Sequence, residues 1–206
     1  MEYSDIIFAG DNLPEFISIA EKLKFSRIFT CSKNYNHISL PNKNNEYDIH
    51  NSRIEIITSE FTNTSPTTKS GLTLYSATNN IREVIERDKI DVLYGAEGFE
   101  KKDRLHYRKS GLNHIICKLA REKGVIIAFS FSSLLAVNGV TRSIILGRMR
   151  QNIHLCKKYH NQICLASLAE SPYEMRSPLD LIAFGALIGL HPSEAKKAVF
   201  IDRQII

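Results

Sequence analysis

Short apolar runs alternate with longer amphipathic stretches along most of the chain. Several short runs contain no polar residue, as in residues 125–129 (VIIAF), which is typical of strands covered on both faces. The predicted strands are Asp5–Ala9, Arg27–Cys31, Arg53–Thr58, Leu72–Ser76, Asp91–Gly95, Val125–Ser130 and Ile163–Ser167. Stretches with the 3.6-residue period predict helices over Leu13–Leu23, Asn79–Arg87, Leu112–Lys123, Thr141–His160, Ser177–Leu187 and Pro192–Phe200.

This alternation predicts an α/β fold in which helical crossovers join parallel strands. Seven such strands in a chain of 206 residues fit either a compact TIM-like (β/α) barrel or an open doubly wound sheet. We find no internal repeat and no domain-sized linker, so we expect a single domain over residues 1–206. Two polar stretches, His37–Ser52 and Thr62–Ser70, are the expected surface loops.

Helix boundaries carry chemical signals of their own. Ser177 is followed by Pro178 and, at the third position, by Asp180, which predicts a capping-box-like helix start. Gly124 follows Lys123 and suits a left-handed C-cap.

The composition indicates a cytoplasmic protein. No apolar run reaches the roughly 18 residues of a membrane span, so we expect no membrane partner. The first five residues are acidic and lack the layout of a secretion signal. The four cysteines form no Cys-x-x-Cys pair and are expected to be reduced, buried thiols.

The net charge of +5 hides an uneven distribution. Residues 1–100 carry 10 cations and 15 anions, whereas residues 101–160 carry 13 cations and, as anions, only Asp103 and Glu122. Residues 161–206 carry 4 cations and 5 anions. A basic block with acidic flanks is typical of nucleic-acid binding if it folds onto one face. Solvated outer helix faces are the alternative origin of such a block, and charge alone favours neither.

Two helices of the basic block are predicted to gather cations on one face. In the helix over Leu112–Lys123, the expected apolar stripe is Leu112, Ile115, Ile116 and Leu119, and the expected basic face is His114, Lys118 and Arg121. In the helix over Thr141–His160, the expected buried seam is Ile145, Met149, Ile153 and Cys156, and the opposite arc is Arg150, His154, Lys157 and Lys158. That helix contains no acid to form internal salt bridges, and unpaired cations suit phosphate binding. The basic loop over residues 101–109 adds Tyr107 for base stacking.

Motifs of common enzyme sites are absent from the sequence, including Gly-x-Gly-x-x-Gly, the phosphate loop, His-Glu-x-x-His and the Gly-x-Ser-x-Gly elbow. Asp48 and His50 give one hint of a metal-dependent barrel hydrolase, but no second histidine follows at ligand spacing. We therefore expect no catalytic residue and no metal site in this chain. Glu174 and Asp180 flank Arg176, and an ion pair or a helix cap explains them more simply than catalysis does.

The second half of the chain carries short motifs in a fixed order. They are residues 111–114 (GLNH), 118–120 (KLA), 128–130 (AFS), 167–170 (SLAE), 174–181 (EMRSPLDL), 185 (G), 189–190 (GL) and 193–196 (SEAK). With these motifs the chain resembles ribonuclease P protein component 3, the archaeal relative of a eukaryotic nuclear ribonuclease P subunit. The resemblance is strong from Gly111 to Val199 and weak before Asp91. In one departure from that family, Gly147 stands where its long helix often carries a cation.

The resemblance implies a seven-stranded α/β barrel in a ribonucleoprotein whose RNA removes the 5′ leader of precursor tRNA. Its Mg²⁺ is expected on the RNA, with no cofactor in this chain. The implied partners are ribonuclease P RNA, precursor tRNA and the component 2 protein, in two copies of each protein. Positions matching the family's motifs, together with the basic faces, give the expected RNA-binding residues Arg108, Lys109, His114, Lys118, Arg142, Arg150, Lys157, Lys158 and Arg176.

Alternatives remain at this stage. One is a free-standing, metal-dependent phosphoesterase-like barrel enzyme that uses Asp48 and His50. Another is an assembly scaffold whose main surface meets a protein rather than RNA. At single positions, Arg176 could instead pair with a neighbouring acid, and His114 could be a half-buried histidine with satisfied hydrogen bonds.

Overall fold

A computed structural model of the protein describes residues 2–32, 54–62, 72–87, 90–99, 103 and 105–201. Its strands are β1 (Ser4–Ile7), β2 (Arg27–Ser32), β3 (Glu55–Thr62), β4 (Thr73–Ser76), β5 (Val92–Tyr94), β6 (Ile126–Ser130) and β7 (Ile163–Ala166). Its α-helices are α1 (Leu13–Leu23), α2 (Ile81–Arg87), α3 (Ala96–Phe99), α4 (His114–Lys123), α5 (Ser132–Leu135), α6 (Gly139–Lys158), α7 (Pro178–Leu187) and α8 (Pro192–Ala198). A short 3₁₀ helix covers Pro172–Glu174.

The seven strands form one parallel sheet in which each strand pairs with its neighbours in sequence order. Beyond β7 the chain reaches β1 through a parallel bridge between Ile7 and Ala169. Two backbone hydrogen bonds complete this seam, from Phe8 N to Ala169 O at 2.8 Å and from Leu168 N to Ile6 O at 2.9 Å. The sheet therefore closes into the predicted (β/α) barrel, and the doubly wound alternative, whose strand order reverses, is excluded.

A buried carboxylate strengthens the seam of the barrel. Oδ1 of Asp5 accepts hydrogen bonds from the backbone N–H of Ser167 at 2.7 Å and of Ile6 at 2.9 Å, and Oδ2 accepts one from Ser167 Oγ at 2.5 Å. Burial raises the pKa of Asp5 to about 7, although the hydrogen bonds from Ser167 act in the opposite direction. Asp5 thus replaces ladder hydrogen bonds where β1 and the end of β7 meet.

The apolar core has two parts, as the alternation of side chains along each strand requires. One part fills the barrel interior and includes Ile6, Phe29, Leu74, Val92 and Ala128. The other lies between the strands and the surrounding helices and includes Phe16, Leu93, Phe129, Met149 and Leu181. This double burial explains why the strands read as uninterrupted apolar runs in the sequence.

The helix boundary signals are confirmed with small shifts. Ser177 and Asp180 form the capping box at the start of α7, and Gly124 ends α4 with a φ of 73°. The fourth helix begins at His114, two residues later than predicted, because the Asn113 side chain accepts the N–H groups of Ile115 and Ile116. The helices α3 and α5 and the 3₁₀ turn were not predicted, since four residues or fewer show no helical period.

Two further expectations can be compared with the described residues. All four cysteines are buried thiols outside any disulfide, as predicted. Within the ranges that the structure covers, no helix is both long enough and apolar enough to cross a membrane. The expected loop His37–Ser52 and most of Thr62–Ser70 lie outside the described residues.

Candidate nucleic-acid interface

Five of the expected RNA-binding residues lie near the carboxyl end of the barrel. Because the strands are parallel, the segments that follow β5, β6 and β7 all leave the sheet at this end. Arg108 and Lys109 belong to the segment between α3 and α4, and His114 is the first residue of α4. Arg142 lies in the first turn of α6, and Arg176 precedes α7.

The remaining expected residues extend along the outer helices. Lys118 is one turn further along α4, and Arg150 lies in the second half of α6. Lys157 and Lys158 are the last two residues of α6, roughly 22 Å along the helix axis from Arg142. The expected set therefore divides into five residues at the carboxyl end of the barrel, Lys118 and Arg150 along the outer helices, and a pair at the opposite end.

A buried ion pair fixes the segment between α3 and α4, which we call the basic segment, to the barrel. Arg148 of α6 is 2% exposed and contacts Asp103 through Nε at 2.9 Å and Nη2 at 2.8 Å, while its Nη1 donates to the carbonyl of Glu97 at 3.0 Å. Oδ1 of Asp103 also accepts the N–H of Lys109 at 3.0 Å. The hydrogen bonds from Arg148 and Lys109 hold the pKa of the Asp103 carboxyl below its usual range.

The end of the basic segment is held just as closely. Gly111 has a φ of +84°, and a Cβ there would overlap the carbonyl of Ala96, so only glycine fits. Asn152 Nδ2 donates to the carbonyl of Ser110 at 2.8 Å. These contacts place Arg108 and Lys109 on a rigid base.

Arg108 lies against the long helix at a position without a side chain. Its Nη1 donates to the Gly147 carbonyl at 3.1 Å, and a Cβ at Gly147 would come within 3.0 Å of the same nitrogen. The Arg108 guanidinium thus lies at the position on this helix where the family that the chain resembles is expected to carry a cation. Arg108 is exposed and keeps further N–H groups available for an anion.

Arg176 packs on its own loop instead of pairing with an acid. Its Nη1 donates to the carbonyls of Tyr173 at 3.0 Å and Met175 at 2.8 Å, and its guanidinium lies 5.3 Å from the ring centroid of Phe131. Among the described residues, Glu174 accepts the N–H of Glu170, and Asp180 caps α7. The ion pair with these acids, which was the alternative at this position, is therefore not the contact that fixes Arg176.

Arg142 is also fixed by its own helix start. Its Nε donates to the Val137 carbonyl at 2.9 Å, and its Nη2 donates to Asn138 Oδ1 at 3.2 Å.

His114, Lys118 and Arg150 are exposed at the surface. His114 is therefore not the half-buried histidine that remained an alternative.

Lys157 departs from the expectation of an unpaired cation on α6. Its Nζ lies 2.7 Å from Glu194 Oε2 of α8, so a neighbouring helix supplies the acid that α6 lacks. Lys158 lies with its Nζ 5.8 Å from the ring centroid of Tyr159. The buried seam of α6 is confirmed at Ile145 and Met149 and at its later positions, but Arg148 and Asn152 join it.

One predicted apolar position is wrong. Ile115 is 44% exposed, whereas Cys117 and Ala120 take its place on the buried face of α4 with Ile116. The buried face is the one that packs against α2 and α6, and it is shifted from the ideal stripe. Ile115 instead lines a surface groove, together with Tyr107 and Arg108.

The described residues contain no group of three or more His, Cys, Asp or Glu side chains placed to hold a metal ion. Asp48 and His50 lie outside the described residues. At the mouth of the barrel, Ser132 Oγ donates to the Leu168 carbonyl at 2.8 Å and Ser133 Oγ to the Ser130 carbonyl at 2.9 Å. The Ser132 hydroxyl joins the segments that follow β6 and β7, and the Ser133 hydroxyl bonds within the first of them. The cations around them offer phosphate binding.

Sequence reasoning missed two residues of this region, one buried and one at the surface. Arg148 belongs to the buried seam of α6, three residues after Ile145, and that spacing could have identified it. Arg82 lies at the start of α2, outside the basic block, and reaches the same groove as Arg108. Nothing in the local sequence indicates that contact, because it depends on how α2 packs beside α4.

Known proteins of similar sequence align with about half of the chain. Ribonuclease P protein component 3 of Methanosarcina mazei is 34% identical over 118 residues, which is 57% of this chain and 46% of that protein. The protein of the same name from Thermococcus kodakarensis is 38% identical over 97 residues, which is 47% of this chain and 44% of that protein. The chain thus spans about half the length of the curated relatives it matches.

Solved structures extend the similarity in fold over the whole barrel. A chain in a cryo-EM structure of archaeal ribonuclease P with mature tRNA aligns with a TM-score of 0.69 and 22% identity, over 95% of this chain and 86% of that one. The crystal structure of A. niger ochratoxinase aligns less closely, with a TM-score of 0.53 and 10% identity, over 96% and 69%. The family model described as RNase P subunit p30 matches residues 99–206, more than half of the chain, and the chain therefore belongs to the RNase P subunit p30 family.

Proposed function

We propose that the protein is a subunit of ribonuclease P, the ribonucleoprotein endonuclease that removes the 5′ leader of precursor tRNA. The observation that carries this proposal is membership of the RNase P subunit p30 family, whose model covers the basic block and the closing motif. The curated relatives carry the name ribonuclease P protein component 3. The chain that aligns with a TM-score of 0.69 comes from a structure of archaeal ribonuclease P with mature tRNA.

In this proposal the chain binds and supports the catalytic RNA and does not carry the chemistry. The cations at the carboxyl end of the barrel are fixed by carbonyl groups and by the Asp103–Arg148 pair, so little side-chain order remains to be imposed when phosphate binds. Phosphate contacts of this kind position a protein on RNA without reading its sequence. The Mg²⁺ of the reaction belongs, in the same proposal, to the RNA.

The proposed partners are ribonuclease P RNA, precursor tRNA and the component 2 protein, in two copies of each protein. The outer face of α7 supports contact with a protein, because Leu179 and Leu187 are 72% and 66% exposed there. Exposed leucines on one helix face give affinity for a protein surface but offer nothing to phosphate. The cytoplasm is the proposed location, in keeping with four cysteines outside any disulfide.

The direct test is reconstitution of precursor-tRNA cleavage from ribonuclease P RNA and its protein subunits, with and without this chain. We expect the complete mixture to cleave faster at low Mg²⁺ and the chain alone to cleave nothing. Cleavage that is unchanged when the chain is left out would contradict the proposal. Precursor cleavage by the chain alone, lost on chelation, would instead favour the phosphoesterase-like enzyme.

Crosslinking of the assembled complex separates RNA binding from a pure scaffold. We expect residues 105–158 to crosslink to RNA and α7 to crosslink to the component 2 protein. Protein crosslinks alone in the basic block, with none to RNA, would favour the scaffold.

A further inference from the structure

A surface groove lies where the basic segment enters α4. We call it the loop groove, and its volume is about 570 Å³. The start of α2, the segment from Tyr107 to Asn113, the first turn of α4 and Gln151 of α6 form its walls. Grooves of this size take a small-molecule unit.

The lining of the loop groove combines an apolar surface with positive charge. Phe99, Leu112, Ile115 and Ile116 supply the apolar part, and Tyr107 is 61% exposed beside them. Arg108 and Lys109 supply the cations, together with Arg82, which also pairs with Glu86 at 2.8 Å; no acidic residue is among the lining residues. An aromatic ring beside cations is the arrangement that single-stranded nucleic acid requires, because bases stack on rings and phosphates meet cations.

A buried hydroxyl gives a second indication of a ligand. Ser110 lines the loop groove and is 2% exposed, yet its Oγ has no hydrogen-bond partner among the described residues. A buried polar atom without a partner costs free energy, and a ligand that bonds to it removes that cost. The carbonyl of the same residue is engaged by Asn152, so the position of Ser110 is fixed.

We propose that the loop groove binds one unpaired nucleotide of an RNA strand, which deepens the proposed function and rests on it. The base lies against Tyr107 and Ile115, and its edge reaches Ser110 Oγ. The adjoining phosphate meets Arg108 and Lys109. A duplex does not fit this arrangement, because its bases are already stacked and paired.

The test measures the affinity of the full chain for a fluorescent single-stranded RNA hexamer, with a 12-base-pair RNA duplex as the comparison. We expect Tyr107→Leu to weaken hexamer binding by at least fivefold, since each stacked base contributes a measurable share of affinity. Tyr107→Phe is the matched control and should bind like the wild type. Both substitutions are at an exposed side chain, so folding should be unaffected, and circular dichroism checks this.

A second pair of variants tests the phosphate and the hydroxyl. Arg108→Gln should reduce the slope of log K against log salt for the hexamer by about 0.7. Ser110→Ala should weaken hexamer binding and leave duplex binding unchanged.

The outcomes distinguish this inference from the proposed function. If the wild type binds ribonuclease P RNA tightly but Tyr107→Leu binds the hexamer as the wild type does, the inference is wrong and the proposed function stands. The same conclusion follows if the wild type does not bind the hexamer. If Tyr107→Leu loses the component 2 protein and keeps its RNA affinity, the groove binds a protein side chain and the inference is overturned.

Discussion

Arg176 shows how a single side chain can be held for binding by neutral groups. Two backbone carbonyls accept from one end of its guanidinium, and the face of Phe131 supports its plane. A guanidinium held by carbonyls keeps its full positive charge, whereas an ion pair with Glu174 would have neutralised it. The arrangement therefore favours a phosphate contact at this position.

Arg176→Ala should weaken binding to ribonuclease P RNA roughly tenfold, because a charge-assisted hydrogen bond to phosphate is lost. Fluorescence anisotropy with labelled RNA measures this change. Phe131→Leu is the control, since it removes the supporting ring and keeps the arginine; it should lower the thermal midpoint and keep most of the RNA affinity. If Arg176→Ala lowers the midpoint and leaves RNA affinity at the wild-type value, the residue is structural.

Glu97 gives the protein a pH-dependent stability. The side chain is 1% exposed, and burial raises its pKa to about 7 from an ordinary value of 4.5. Between these two values the unfolded chain has released the proton that the folded chain still holds. Stability from this group is therefore highest below pH 4.5 and falls as the pH rises toward 7.

Glu97→Gln should remove this pH dependence. The variant should gain about 2–3 kcal/mol in unfolding free energy relative to the wild type between pH 5 and pH 8. Urea unfolding at a series of pH values gives both curves. Curves that stay parallel over this range would show that Glu97 does not titrate as described. Asp5 changes stability in the same direction in both proteins and so cancels in the difference.

At the scale of elements, the sequence predicted the long helices well, but it predicted less well which residues of each helix are covered by other elements. The seam of α6 was predicted at Ile145 and Met149 because one face of a helix repeats regularly. The burial of Arg148 was not predicted although the residue follows the spacing of that seam, because the acid that pairs with it, Asp103, lies 45 residues away in sequence. The prediction for Ile115 failed for a related reason, since the packing of α4 against α2 and α6, and not the ideal helical period, decides which face is covered.

Arg148→Met should destabilise the fold by about 2 kcal/mol and loosen the basic segment. Removing one partner of a buried ion pair is costly, and the 27% exposure of Asp103 limits the cost. Arg150→Met, at an exposed position of the same helix, is the stability control and should stay within about 0.5 kcal/mol of the wild type. Urea unfolding gives the midpoint of each variant, and equal midpoints for the two variants would contradict the anchoring role of Arg148.

At the scale of the whole molecule, alternation of strands and helices predicted the fold class but could not separate a barrel from an open sheet. Closure depends on contacts between Asp5 and Ser167, which are 162 residues apart, and no local pattern reports such a contact. The charge asymmetry predicted a basic surface. The barrel topology then brings cations from three separate loops to its carboxyl end. Lys157 was placed with them by helix periodicity alone, although α6 carries it to the other end of the barrel.

The salt dependence of binding to ribonuclease P RNA tests this account most directly. Four to six phosphate contacts at the carboxyl end predict a slope of log K against log salt of about −3 to −5. Arg108→Gln with Lys109→Gln should make the slope shallower by about 1.4, whereas Lys22→Gln with Lys24→Gln, exposed at the end of α1, should leave it unchanged. A wild-type slope no steeper than about −1, or equal slopes for both double variants, would contradict an RNA-binding role for the basic surface.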